Sequence, residues 1–108
     1  MPTKLPQPLA AYFAGNNNHD INAMLAPFTE GAVVKDEGEE MRGLKAIRAW
    51  MEETTRKYGA SVEVSGVAET AENTTVTCLV SGNFQGSPVE LHYAFILDGE
   101  KIGRLEIS

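Results

Sequence analysis

The sequence predicts an α+β fold in which three N-terminal helices pack on a strongly curved antiparallel sheet. Three observations predict it. Apolar residues recur at three- and four-residue steps up to Tyr58, the mark of amphipathic helices. After Gly59 the pattern changes to strict alternation, the mark of half-buried strands. Turn signals at Gln85-Gly86-Ser87-Pro88 and Asp98-Gly99 then divide the second half into neighbouring strands.

The first helix is predicted over Pro6–Asn16, with Leu5, Leu9, Tyr12 and Phe13 on one face. Prolines suit its first turn, and Gly15 with the run Asn16-Asn17-Asn18 stops it. Asp20 is the expected N-cap of a second helix whose inner face is Ile21, Met24, Leu25 and Phe28, with Pro27 ending it. His19 falls in the exposed loop between the two.

Gly31 breaks the helical pattern, and Ala32–Asp36 reads as a short edge strand. Glu37-Gly38-Glu39-Glu40 is predicted as a turn, and Met41-Arg42-Gly43 leads into a third helix, Leu44–Tyr58. That helix carries Leu44, Ile47, Trp50, Met51, Thr54 and Tyr58 on one face and charged residues on the other. Four strands follow, Ser61–Glu69, Thr74–Phe84, Val89–Leu97 and Lys101–Ile107, as an antiparallel meander. Gly66 and Gly82 mark bulges or bends that curl the sheet into a cone with an apolar interior.

A chain of 108 residues forms one domain over 1–108, large enough for a core without staples. No apolar run of membrane-spanning length occurs. The start, MPTKLPQPLA, lacks the apolar core of a secretory signal, and the lone Cys78 fits a reducing compartment, so a cytoplasmic location is expected. The net charge is −6 and the basic residues are scattered, which argues against nucleic acid as a partner. His19 and His92 stand far apart and no Cys/His pair has ligand spacing, so no metal site is expected. Phosphate-binding glycine motifs and serine-nucleophile elbows are absent, and no cofactor is expected.

Four stretches carry a family resemblance: AYFAGNNNHDINAMLAPF at 11–28, AVVKDEG at 32–38, RGLKAIRAWM at 42–51 and FILDGEKIGRLEI at 95–107. In this order they resemble the nuclear-transport-factor-2-like superfamily, with its ketosteroid isomerases and SnoaL-type polyketide cyclases. The resemblance covers essentially the whole chain and implies a cone-shaped, cystatin-like roll. It also implies a site in which Asp36 is the general base and Tyr12 a hydrogen-bond donor. The second acid of ketosteroid isomerases falls at Tyr93, a phenol rather than a carboxyl group. A phenol donates a hydrogen bond as well, so the implied catalytic set is Asp36, Tyr12 and Tyr93.

By strand parity Val76, Cys78, Val80, Phe84, Phe95, Leu105 and Ile107 line the cavity, with Phe28, Trp50 and Met51 from the helices. Such a cavity takes a small apolar molecule. The residues leave alternatives open. Asp36 is either a base or a turn-forming Asp bonded to nearby backbone. Cys78 is a buried thiol before it is a nucleophile. Asp36 with Arg42 offers part of an epoxide-hydrolase-like Asp–Arg–Asp set, without a second inward Asp. The outer sheet face, Thr75, Thr77, Leu79, His92, Ala94 and Ile96, is the expected surface of a homodimer. Two functional classes follow: a cofactor-free isomerase or cyclase, and a non-catalytic ligand-binding or dimerisation module.

Overall fold

A computed structural model describes residues 5–71 and 73–108; Met1–Lys4, part of the N-terminal segment read above, and Glu72 lie outside the described residues. The chain runs α1 (Gln7–Asn17), α2 (Ile21–Leu25), β1 (Phe28–Asp36), β2 (Glu39–Arg42), α3 (Leu44–Tyr58), β3 (Ser61–Glu69), β4 (Thr74–Ser81), β5 (Val89–Asp98) and β6 (Lys101–Ile107). One curved, unclosed sheet takes the order β2-β1-β6-β5-β4-β3. The α+β class therefore holds, with the helices packed on this sheet.

The helices form where the caps and apolar faces predict them. Pro6 caps α1, and the Asp20 carboxylate accepts from the Ala23 amide at 3.2 Å to start α2. Gly15 lets the two helices meet: a Cβ there would sit 2.6 Å from the Met24 amide nitrogen. The amphipathic α3 buries Ile47 and Met51 and ends on Gly59 in the left-handed region.

Several details differ from the sequence reading. The second helix ends at Leu25, and Phe28 begins β1 instead of closing a helix. Pro27 cannot donate within a helix, so the chain leaves it early. The expected turn at Glu37–Glu40 is a tight hairpin at Glu37-Gly38, both at positive φ, and Glu39–Arg42 is strand β2. Consequently β1 is interior, between β2 and β6, and β2 is the edge. The β1–β6 pairing is parallel, whereas every other pairing is antiparallel. The meander β3–β6 leaves the far side of β6 open, and the chain returning from α2 runs along it in the same direction.

Bulges bend the sheet. The β3–β4 register shifts between Val64 and Gly66, as predicted from Gly66. The β5–β6 register shifts between Ile96 and Leu97, opposite Gly103, which resets parity so that Ile102 and Leu105 both face inward. Gly82 is not a strand bulge: β4 ends at Ser81, and Gly82 starts the loop that carries Phe84.

The core lies between the helices and the inner sheet face. Leu9, Ala32, Val34, Ile47, Met51, Val76, Cys78, Phe95, Ile102 and Leu105 are fully buried. Tyr12 stands edge-on to Phe13, Phe28 and Phe95, with centroids 5.2, 5.7 and 5.9 Å away. These aromatics fill the inner end of the cone.

Candidate functional site

Above that packed end the cone stays open as a cavity of about 510 Å³, within the range of small-molecule sites. Its walls come from all the major elements: Tyr12 and Asn16 of α1, Asp36 at the end of β1, Trp50, Met51, Thr54 and Tyr58 of α3, Val62 of β3, Val80 of β4, Leu91 and Tyr93 of β5 and Ile107 of β6.

Asp36 reaches this cavity through strand parity. Ala32, Val34 and Asp36 alternate onto the inner face of β1, and the hairpin turns the chain away directly afterwards. The carboxylate is half-buried, and the Trp50 indole N–H donates to its Oδ2 at 3.1 Å. Burial raises its pKa above the usual carboxylate value. The Trp50 hydrogen bond and the Glu37 amide oppose that rise, while the charges of Glu37 and Glu39 add to it.

Tyr12 and Tyr93 stand side by side at the inner end, ring centroids 6.5 Å apart, only 3% and 6% exposed. Burial pushes both phenols above their ordinary pKa, and the Asp36 charge pushes them in the same direction, so all three groups share one electrostatic environment. Among the described residues no hydrogen bond engages either hydroxyl, and no fully enclosed side-chain polar atom lacks a partner. Each hydroxyl therefore opens onto the cavity as a free donor.

The structure brings Asp36, Tyr12, Tyr93, Trp50, Met51, Val80, Phe84 and Ile107 together around the cavity. Phe28, Val76, Cys78, Phe95 and Leu105, expected as cavity walls, are inward-facing but lie in the packed core, out of contact with the cavity. Phe28 and Phe95 pack edge-on against Tyr12 there. Burial raises the Cys78 thiol to about 12, as for an inert core cysteine. Arg42 does not join Asp36: it is exposed on β2 and pairs with Glu40 at 2.6 Å, which removes the Asp–Arg arrangement. Among the described residues no cluster of His, Cys, Asp or Glu can hold a metal ion.

Several wall residues escaped the sequence reading as site residues. Thr54 and Tyr58 lie on the recognised inner face of α3, and Val62 on the inward parity of β3, so periodicity alone carried their signal. Asn16 and Gln85 gave none, because a helix end and a loop place them.

Comparison with known proteins supports the fold. A family model described as SnoaL-like domain matches residues 9–104. A candidate polyketide cyclase from Sinorhizobium meliloti is 34% identical, with a TM-score of 0.93 over 96% of this chain and 95% of that one. A Catenulispora acidiphila protein with a ketosteroid isomerase-like fold, in complex with trimethylamine, has a TM-score of 0.85 at 19% identity, over 97% of this chain and 86% of that one. SalBIII, an epoxide hydrolase/cyclase-like enzyme in pyran ring formation in salinomycin, has a TM-score of 0.78 at 18% identity, over 94% and 86%. These last two likenesses concern the fold alone. No curated protein sequence matches the chain.

Proposed function

This chain belongs to the SnoaL-like domain family, and from that premise we propose that it is a cofactor-free enzyme of isomerase or cyclase type. It would act on a small, largely apolar carbonyl compound. The observation that carries this reading is the half-buried carboxylate of Asp36, sharing a cavity with two phenol hydroxyls that have no protein partner among the described residues.

In the proposed reaction the Asp36 carboxylate takes a proton from a carbon next to the carbonyl. The released electron pair moves onto the carbonyl oxygen, and the Tyr12 and Tyr93 hydroxyls hydrogen-bond the enolate oxygen. Where the substrate has a carbon–carbon double bond β,γ to the carbonyl, the dienolate takes the proton back from Asp36 at its γ-carbon, the double bond moves into conjugation, and an isomer results. Alternatively the enolate carbon bonds to a second carbonyl of the same molecule, and Asp36 protonates the new alkoxide. The raised pKa of Asp36 suits the proton-abstracting half of this cycle, because a weaker acid is a stronger base. The S. meliloti relative, a candidate polyketide cyclase, favours the same class.

One observation favours a second reading. The Trp50 N–H already occupies Asp36 Oδ2, so the carboxylate could anchor a ligand without transferring protons. Deuterium uptake separates the two. Cyclic ketones and β-diketones are incubated with the protein in D₂O, and exchange at the α-carbon is followed by proton NMR. Catalysed exchange that falls about 10²–10⁴-fold in Asp36→Asn is the expected result. Binding without catalysed exchange would establish the binding module instead.

We also propose that the protein works in the cytoplasm as a homodimer through the outer sheet face. Leu79 and Ile96 are each 40% exposed on that face, beside His92. No helix among the described residues is long and apolar enough to cross a membrane. A monomeric mass at micromolar concentration by light scattering would refute the dimer.

A further inference from the structure

The cavity has two unlike ends. Its inner end carries Tyr12 and Tyr93, nearly fully buried, near Asp36. Its other end is lined by a second aromatic pair that the proposed chemistry does not use, Tyr58 at the last turn of α3 and Phe84 in the loop between β4 and β5. Both are half-exposed, and their rings meet edge-to-face, centroids 5.8 Å apart and planes at 85°.

The pair is held in place by backbone as well as by ring contact. The Asn83 amide donates to the Tyr58 carbonyl at 2.8 Å, tying the loop to the end of α3. The Gly82 amide donates to Ser87 Oγ at 3.0 Å, which closes the loop on itself. Gly82 permits this docking, since a Cβ there would lie 2.9 Å from the Tyr58 carbonyl oxygen and 3.1 Å from the Phe84 ring. An aromatic edge fixed by these contacts acts as a wall rather than as a mobile surface side chain.

We propose that Tyr58 and Phe84 form the outer end wall of the cavity and set the length of the ligand it accepts. The assignment rests on the reading of the cavity as a carbonyl-ligand site. With the carbonyl oxygen at the two phenols, the rest of the ligand extends toward Tyr58 and Phe84. Among the described residues the cavity wall carries no Lys, Arg or His, and its polar side chains besides Asp36 and Glu37 are neutral, so that extension is an uncharged chain.

The probe is a series of methyl ketones of increasing chain length. Trp50 is the only tryptophan and lines the cavity, so its fluorescence reports binding. In the parent protein, affinity is expected to rise about fourfold per added methylene and then stop rising at one chain length. In Phe84→Ala the rise continues for about three further methylenes, the space a ring leaves at ~30 Å³ per water-sized group. Gly82→Ala keeps the ring but displaces it, and moves the limit as well. Tyr58→Phe keeps the ring and leaves the limit where it was. A limit unmoved in both Phe84→Ala and Gly82→Ala overturns the assignment, while loss of the proposed catalysis in the exchange assay would leave it standing. Failure of every ketone to bind overturns both readings together.

Discussion

Replacing the Tyr12 and Tyr93 hydroxyls separates a structural role from a functional one. A hydroxyl that holds a protein hydrogen bond contributes about 0.5–1.5 kcal/mol to stability. Neither of these engages a protein group among the described residues, and both open onto the cavity. Tyr12→Phe and Tyr93→Phe also keep the rings that pack on Phe13, at 5.2 and 5.4 Å. Each change is therefore expected to stay within about 0.5 kcal/mol of the parent, which is roughly 2–4 °C in Tm for a domain of this size. Catalysis responds differently, because removing one oxyanion donor costs on the order of 10²-fold in rate. The double variant loses more than either single one, with less than additive effect, since both donors serve one oxygen. Urea unfolding gives the first quantity and α-carbon deuterium exchange the second. Two results would refute the reasoning: an unchanged exchange rate in both single variants, or a stability loss above about 1.5 kcal/mol, which would expose a hydroxyl bonded within the fold.

Trp50→Phe removes the indole N–H that opposes the effect of burial on Asp36. The Asp36 pKa then rises further, and the acid limb of the exchange rate moves to higher pH; a shift to lower pH would contradict the role of that hydrogen bond. Asp36→Asn tests the same group through stability. A folded-state pKa raised above 3.8 means that the fold prefers the protonated acid, so stability is lost as pH rises through the folded pKa. The Asn variant escapes this loss. It is expected to be the more stable protein at pH 7 by urea unfolding, with the gap closing as pH falls below the ordinary carboxylate value. Cys78, with its thiol near 12, is expected to resist iodoacetamide at pH 8 in the folded protein and to react only after unfolding.

Much of the fold was legible because it rests on local physics. The 3.6 period placed α3 at Leu44–Tyr58, and alternation placed β3 and β6 at their observed ends. The Asp98-Gly99 signal located the β5–β6 hairpin. The errors came where tertiary context decides. The parallel β1–β6 pairing has no local signature, since it joins residues far apart in sequence. Strand β2 is too short and too acidic to read as a strand, and forms because β1 offers it an edge. For the site, parity identified which side chains point inward but not how deep each one lies. Cys78 and Val80 share a face, yet Cys78 is sealed in the core and Val80 borders the cavity. Depth depends on packing between elements far apart in sequence, as where Tyr12 and Phe13 of α1 meet Phe95 of β5.

The phenol at position 93 changes how the proposed site depends on pH. A second carboxylic acid would donate to the enolate only while protonated, next to the charge of Asp36, and activity would require holding two acids in opposite states. A phenol is neutral without that arrangement. Burial and the Asp36 charge push Tyr12 and Tyr93 above their ordinary pKa of 10.0, so both keep their protons through neutral and mildly alkaline pH, where Asp36 is ionised. Of Asp36, Tyr12 and Tyr93, only Asp36 then changes state between acid and mildly alkaline pH. The exchange rate is accordingly expected to rise along a single acid limb as Asp36 loses its proton and to stay level up to about pH 10. Tyr93→Asp restores the missing acid and is expected to add a second, alkaline limb, as its carboxyl group loses the donor proton. A bell-shaped profile in the unaltered protein would show that another ionising group takes part, and would remove the phenols from the role assigned to them.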